Sequence, residues 1–292
     1  MSDCTQSRIR IAAGAPILGI DVGEDYLDLA IMTDGCLGYH RVALTDLETP
    51  PTRSLAARIG DAIGRNVRGG IALVDSPRTP RDVDCSGATM NLRADAPPGR
   101  ILDASLRELL RVTFNGTMRP LSMFPTPLAS YFAGCVADTR CKPHLRAIAE
   151  EALAFVIEIP RAPGKAKSLP GGTFTRFMLA GFAAFPALER IGVRAFEAYP
   201  DLQMRLWSAG IALPPKRMRA EALRVRRDIC ARLATIVGIA NSRPPATLDE
   251  ADAAILALSA AASAATDSLI ELHCAAEGRF AVALDGATSP HA

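Results

Sequence analysis

The sequence predicts an α/β fold built on a mixed five-stranded sheet with helices on its faces. Three observations predict it: apolar runs of strand length in the first part of the chain, helical apolar spacing between later runs, and Gly or Pro at the ends of most runs. Hydrophobic residues make up 49% and charged residues 22% of the 292, a balance typical of a folded protein. We expect one domain over residues 1–292, with an insertion at about 79–176.

The first three strands are predicted to form an antiparallel meander. The apolar run Ile17–Val22 indicates a buried strand, and Tyr26–Met32 and Leu37–Leu44 are two further strand-like runs. The last two are joined through Asp34-Gly35, a dipeptide typical of tight hairpins.

Two further strands are predicted after a helix. Ser54–Val67 has apolar residues at helical spacing. The short run Ile71–Asp75 follows a glycine pair and is stopped by Pro77, and Val193–Tyr199 is closed by Pro200. The sheet is therefore expected to hold three antiparallel strands and then two more.

The rest of the chain is predicted to be mainly helical. The insertion at about 79–176 is expected to be largely helical, and Phe177–Ile191 is a predicted helix. Ala220–Ala240 indicates a basic amphipathic helix. Thr247 and Glu250 fit a capping box, so a last main helix is expected from there to about residue 265.

Carboxylates stand near the ends of three predicted strands and at the start of the last helix. Asp21, Asp75 and Glu197 each lie close to a strand exit. Asp249 and Asp252 are three residues apart and so share one face of the helix. Hard cations such as Mg²⁺ prefer oxygen ligands, so these acids are the candidates for a divalent-metal site.

Such a site suits one chemistry in particular. Two Mg²⁺ or Mn²⁺ ions about 4 Å apart activate a water and stabilise the departing oxygen in phosphodiester cleavage. The expected reaction is hydrolysis of a phosphate ester.

The order of elements and four motifs resemble the RNase H-like superfamily, in particular its branch of predicted RNase H-like nucleases. The motifs are Gly19-Ile-Asp21-Val-Gly23, Ala72-Leu-Val-Asp75-Ser-Pro77, Phe196-Glu197-Ala-Tyr-Pro200-Asp201 and Asp249-Glu-Ala-Asp252. The resemblance implies an RNase H-like sheet and a metal-dependent nuclease. It also implies that Asp21, Asp75, Glu197 and Asp252 are catalytic and, with Asp249, bind Mg²⁺ or Mn²⁺.

Each acid also has an ordinary structural role open to it. Asp21 could cap the turn after its strand, and Asp75 could form an Asx-turn. Glu197 could pair with an arginine such as Arg194. Asp249 lies in the first helical turn, where an acid is favoured in any helix.

Basic residues supply the candidate contacts to nucleic acid. The net charge is only +2, so binding would depend on local patches. Phosphate contacts are predicted for a set of basic side chains, although a solvated helix face is equally open for the arginines: Lys165, Lys167, Lys216, Arg224 and Arg227.

The sequence is compatible with three functions. The leading expectation is a metal-dependent nuclease with DNA or RNA as its partner. The alternatives are an ATP-binding phosphotransferase of the sugar-kinase or actin-like type, for which Gly171-Gly172 is thin support, and a non-catalytic binding protein that keeps the fold.

The sequence also predicts where the protein works. The N-terminal residues lack a basic stretch followed by an apolar run, and no apolar run reaches the roughly 18 residues of a membrane span. Seven cysteines without a C-x-x-C pair favour free thiols in a reducing compartment. We expect a cytoplasmic protein without a membrane partner, and the pattern leaves its oligomeric state open.

Overall fold

The computed structural model describes residues 5–64, 69–76, 128–156, 173–208, 211–239, 242–274 and 278–284. These residues form a five-stranded and a three-stranded sheet together with helices. The strands are β1 (Thr5–Arg8), β2 (Ile17–Val22), β3 (Tyr26–Thr33), β4 (Cys36–Ala43), β5 (Ile71–Asp75), β6 (Arg194–Glu197), β7 (Leu269–Cys274) and β8 (Gly278–Ala283). The helices are α1 (Pro51–Ile63), α2 (Leu128–Ala137), α3 (Pro143–Val156), α4 (Thr173–Arg190), α5 (Pro200–Trp207), α6 (Arg219–Ile236) and α7 (Leu248–Ala265).

The larger sheet has the strand order β4-β3-β2-β5-β6. Strands β2, β3 and β4 are antiparallel, whereas β5 runs parallel to β2 and β6 runs parallel to β5. The predicted mixed five-stranded sheet is therefore confirmed. The predicted tight hairpin is also present, because Thr33 pairs with Cys36 and both Asp34 and Gly35 have positive φ.

Helices cover both faces of this sheet. On β2, Leu18 and Ile20 point into a core shared with α1, α2, α3 and α4. The alternate residue Ile17 points to the opposite face, which is covered by α7. Helix α6 packs on the outer side of α7, where Ile229 and Leu233 are buried. The face under α7 is the one that carries the candidate site.

The described part of the predicted insertion is helical, as expected. Helices α2 and α3 pack on each other and on the core of the first face, through side chains such as Phe132 and Leu145. Residues 77–127 and 157–172 lie outside the described part, so the prediction of helix near residues 106–112 falls there.

The three-stranded sheet, with strand order β1-β7-β8, was not predicted. It joins residues from the two ends of the chain, since Thr5 pairs with His273. Helix α5 was also not predicted. Its buried Gln203 side chain hydrogen-bonds to the backbone of β8, and the indole of Trp207 donates to the carbonyl of Ala283 at 3.0 Å. These contacts attach the small sheet to α5, the helix that follows β6 of the large sheet.

The predicted capping box of α7 is half formed. The Thr247 hydroxyl accepts a hydrogen bond from the amide of Glu250 at 3.1 Å, as expected. The Glu250 carboxylate instead accepts from the amide of Ala246 at 2.6 Å and from both terminal nitrogens of Arg243 at 2.7 Å. The bidentate arginine therefore takes the role that the backbone amide of Thr247 would have had.

Candidate metal centre

Three aspartates form a row across three neighbouring strands of the large sheet. Asp21 on β2 pairs in register with Asp28 on β3 and with Asp75 on β5. Residues paired in this way point to the same face of a sheet. The row therefore presents three carboxylates to the face that α7 covers, at the carboxyl ends of the parallel strands, where ligand sites of α/β sheets typically lie.

Helix α7 packs very closely on β2 because residue 19 is a glycine. A Cβ atom on Gly19 would lie 1.9 Å from the carbonyl oxygen of Ala253 and 2.7 Å from the amide nitrogen of Ala257. No other residue type fits between this strand and this helix. The close approach brings the first turns of α7, which carry Asp249 and Asp252, to the row of aspartates.

On one side of Asp21 lie Asp28 and Asp249. One oxygen from each of the three carboxylates lies within 4.8 Å of the other two. Arg41 binds Asp28 with two hydrogen bonds of 2.8 and 2.7 Å, and the Tyr26 hydroxyl is 3.5 Å from an oxygen of Asp249. Burial raises the pKa of Asp28 even though Arg41 opposes the shift. This side has the oxygen donors that a hard cation prefers.

On the other side lies Asp252, which is completely buried between two cations. The Nε atom of Arg226 donates to Oδ1 at 2.7 Å, and Arg226 is itself only 3% exposed. The Nζ atom of Lys216 lies 2.7 Å from Oδ2. That contact is a close ion pair, so each oxygen of Asp252 faces a cation. Asp252 is therefore a buried carboxylate with compensated charge.

Burial raises the pKa of two of the acids, Asp21 and Asp75. Burial raises the pKa of Asp21 well above its usual range, and the charges of Asp75 and Asp252 raise it further, against Lys216. Burial raises the pKa of Asp75 to about 7, although Lys216 and a hydrogen bond with Asp21 lower it. Carboxylates held this close favour a shared proton or a bound cation, and such shifts are typical of functional sites.

Lys216 lies in the acid cluster. It belongs to an exposed loop between α5 and α6, and 58% of its side chain is exposed while the ammonium contacts buried Asp252. Partial burial alone would lower its pKa, but Asp252, Asp21 and Asp75 together raise it. The residue was predicted to contact nucleic acid, whereas the structure places its ammonium against the predicted metal ligands.

The structure does not bring Glu197 to this cluster. Glu197 pairs in register with Val74, the residue before Asp75, so it points to the opposite face of the sheet. Its buried carboxylate accepts a hydrogen bond from the hydroxyl of Tyr199. Asp28, which was not among the predicted ligands, lies instead on the face that carries Asp21 and Asp75.

The other residues predicted to contact nucleic acid bind groups outside the acid cluster or fall outside the described residues. Arg224 is exposed and forms an ion pair of 3.4 Å with Asp228, one helical turn away. Arg227 donates to a backbone carbonyl of the loop before α7 at 2.8 Å. Lys165 and Lys167 fall in residues 157–172, which the structure does not describe.

Two residues of the site were missed in the sequence, and each had a signal. The turn between β2 and β3 places Val22 opposite Leu27. One residue further from the turn on each strand, Asp28 lies opposite Asp21. Arg226 follows Ala222 by four residues and precedes Ile229 by three, which is the spacing of the buried face of α6. A charge at such a position indicates a buried partner.

Comparisons of the chain with known proteins identify no relative. The chain matches no protein-family model, no curated protein and no solved structure. Among the helices of the described residues, none is both long and apolar enough to cross a membrane. The functional argument therefore depends on the geometry of the site.

Proposed function

We propose that the chain is a metal-dependent nuclease of the RNase H-like kind, which hydrolyses phosphodiester bonds at the carboxylate cluster between the large sheet and α7. The proposal rests on one observation, the convergence of acids from three strands and one helix. The converging residues are Asp21, Asp28, Asp75, Asp249 and Asp252. The mixed sheet of three antiparallel and two parallel strands supports the resemblance to that superfamily.

The cluster has the properties that a hard divalent cation requires. Its donors are carboxylate oxygens, and the buried Oδ2 of Asp252 already faces a cation, the ammonium of Lys216, at 2.7 Å. Asp21, Asp75 and Asp252 would hold one Mg²⁺ or Mn²⁺ ion, and Asp21 with Asp28 and Asp249 would hold another. A bound ion would supply activation of water and stabilisation of the departing oxygen.

The rim of the cluster suits a phosphate backbone. Lys216, Arg217 and Arg219 are exposed on and just after the loop that reaches the acids. On the other side, the guanidinium of Arg41 lies 3.8 Å from the ring centroid of Tyr26. Cationic side chains around an acidic centre offset its repulsion of a polyanion, so nucleic acid is the partner that this arrangement favours.

A second candidate is a non-catalytic protein in which the acids only stabilise the fold. The observation that favours it is the double ion pair on Asp252, since both oxygens of this carboxylate already face a cation. Under this second hypothesis the cluster would bind no divalent metal.

The test is a cleavage panel over single-stranded, double-stranded, hybrid and branched DNA and RNA, with Mg²⁺ and with Mn²⁺. We expect metal-stimulated cleavage by the wild-type protein and none by Asp21→Asn. The variant should remain folded because it removes a buried carboxylate from between other acids. Asp252→Asn is less suitable, since it would leave buried Arg226 without its charged partner.

The matched control is Asp61→Asn, the same chemical change at an exposed position on α1. It should cleave as the wild type does. If Asp21→Asn cleaves as well as Asp61→Asn, the proposed site is wrong. If the wild type cleaves nothing and binds no Mn²⁺, the second candidate is favoured.

A further inference from the structure

The position of one side chain bears on how the cluster would take up a metal. The ammonium of Lys216 lies 2.7 Å from Oδ2 of Asp252 and interacts electrostatically with Asp21 and Asp75. It therefore stands among the same three carboxylates that are proposed to hold a divalent ion. A lysine ammonium and a metal ion cannot occupy one position at the same time.

Lys216 is held only loosely by the rest of the protein. Residues 211–220 are exposed or half-buried, and among the described residues the backbone hydrogen bonds near Lys216 are short-range turns, such as the one from the amide of Met218 to the carbonyl of Pro215 at 2.9 Å. Most of the lysine side chain is in solvent. Arg226, the other cation on Asp252, is by contrast buried on a helix packed against α7. Of the two, Lys216 is the one that can leave.

The two cations therefore have different roles. Arg226 compensates Asp252 permanently, as a buried carboxylate requires. Lys216 adds a positive charge among acids that otherwise repel one another. A divalent ion would supply more charge at the same place and leave Lys216 without its partner.

On the basis of the proposed function, we propose that Lys216 is a displaceable internal counter-ion. It neutralises the cluster formed by Asp21, Asp75 and Asp252 while no metal is bound, and a divalent cation expels it. The released ammonium stays at the rim of the site, where it contacts a phosphate of the nucleic acid.

The first test is calorimetric titration of Mn²⁺ into the metal-free protein, without substrate. Lys216→Met should bind Mn²⁺ about tenfold more tightly than the wild type. This factor is expected if the ammonium of Lys216 is away from the carboxylates in about a tenth of the wild-type molecules, because only those molecules can bind the ion. The control is Arg217→Met, which removes the same charge from the next residue on the loop. Arg217 has no hydrogen bond or ion pair among the described residues, so we expect less than about a threefold change from its longer-range charge.

The second test does not depend on a variant. The rate of amine acetylation at each lysine of the wild type is followed by mass spectrometry, with and without Mg²⁺. We expect the rate at Lys216 to increase when Mg²⁺ is added. The internal reference is Lys142, whose ammonium is paired with Asp25 at 2.6 Å and should not respond to the ion.

The outcomes separate this inference from the proposed function. If the wild type and Lys216→Met bind Mn²⁺ equally, or if Mg²⁺ leaves the labelling of Lys216 unchanged or lowers it, the counter-ion role is overturned and the metal site remains. If neither protein binds Mn²⁺, the metal site itself is wrong and the inference falls with it. Binding by Lys216→Met alone supports both.

Discussion

Replacing Gly19 by alanine should disturb the contact that brings the acids together. The added Cβ would lie 1.9 Å from the carbonyl oxygen of Ala253, whereas ordinary van der Waals contact begins at 3.4 Å. The obstructing atom belongs to the backbone, so α7 or β2 must shift by about 1.5 Å at this point. Forcing an extra carbon into a packed core typically costs about 1–3 kcal/mol, and a rigid obstacle favours the upper end, about 3 kcal/mol.

The assay is equilibrium unfolding in urea and by heat. A loss of about 3 kcal/mol should lower the melting temperature of a chain of this length by about 5 °C. Gly38→Ala on β4 is the matched control, because its Cβ would meet nothing closer than 3.6 Å and it should change stability by less than about 1 kcal/mol. If Gly19→Ala unfolds at the same urea concentration as Gly38→Ala, the close packing of α7 on β2 is wrong.

The acids, the buried arginine and one helical glycine each give a further prediction. Burial raises the pKa of Asp75 to about 7, above its unfolded value of about 3.9, so between these two pH values the folded metal-free protein holds a proton that the unfolded chain has lost. The free energy of unfolding should therefore fall as the pH rises from about 4 to 7. Urea titrations at several pH values would measure this decrease. Arg226→Met leaves the buried Asp252 charge without its main partner and should cost about 3–5 kcal/mol in urea unfolding. Gly60→Ala on α1 has 3.8 Å of clearance and should stabilise the protein by about 0.5–1 kcal/mol, seen as a higher melting temperature.

The first two of these predictions have a control variant, and all three have a contradicting result. Asp75→Asn should remove the part of the pH dependence that Asp75 contributes and leave the part from Asp21, and an unchanged slope would assign the dependence to other groups. Arg224→Met removes an exposed ion pair with Asp228 and should change stability by about 0.5 kcal/mol or less, so an equal loss in both arginine variants would refute the buried pair. A destabilised Gly60→Ala would mean that α1 packs more tightly there than the structure has it.

Much of the site could be predicted because it depends on local patterns. The apolar runs before Asp21 and Asp75 indicate strands that deliver an acid at their ends. The hydroxyl cap of Thr247 sets the first turn of α7, and with it the helical face that carries Asp249 and Asp252. The tight turn after β2 also determines which residue faces Asp21 across the hairpin.

The face of Glu197 could not be predicted from such patterns. Strand β6 pairs with β5 across more than a hundred residues of chain, and nothing local determines the register of two parallel strands that far apart. A shift of one residue in that register reverses which side chains face α7. An acid near a strand exit therefore has two alternative positions, and Glu197 occupies the face away from the cluster.

Long-range contacts explain the other differences. The pairing of β1 with β7 joins residues near the two ends of the chain. Neither strand has an apolar pattern long or regular enough to predict this pairing from the sequence. Lys216 lies between α5 and α6, and α5 was not predicted because Pro200 indicated only the end of a strand. Proline is also common at the first position of a helix, which is the role it has here.

The most direct test of the central claim is anomalous scattering from Mn²⁺ in crystals of the wild-type protein at millimolar Mn²⁺. We predict an anomalous peak within about 2.5 Å of a carboxylate oxygen of Asp21. The other protein ligands would be either Asp75 and Asp252 or Asp28 and Asp249. Well-ordered crystals in which Mn²⁺ is absent from these carboxylates, or binds only at exposed acids elsewhere, would contradict the proposed metal centre.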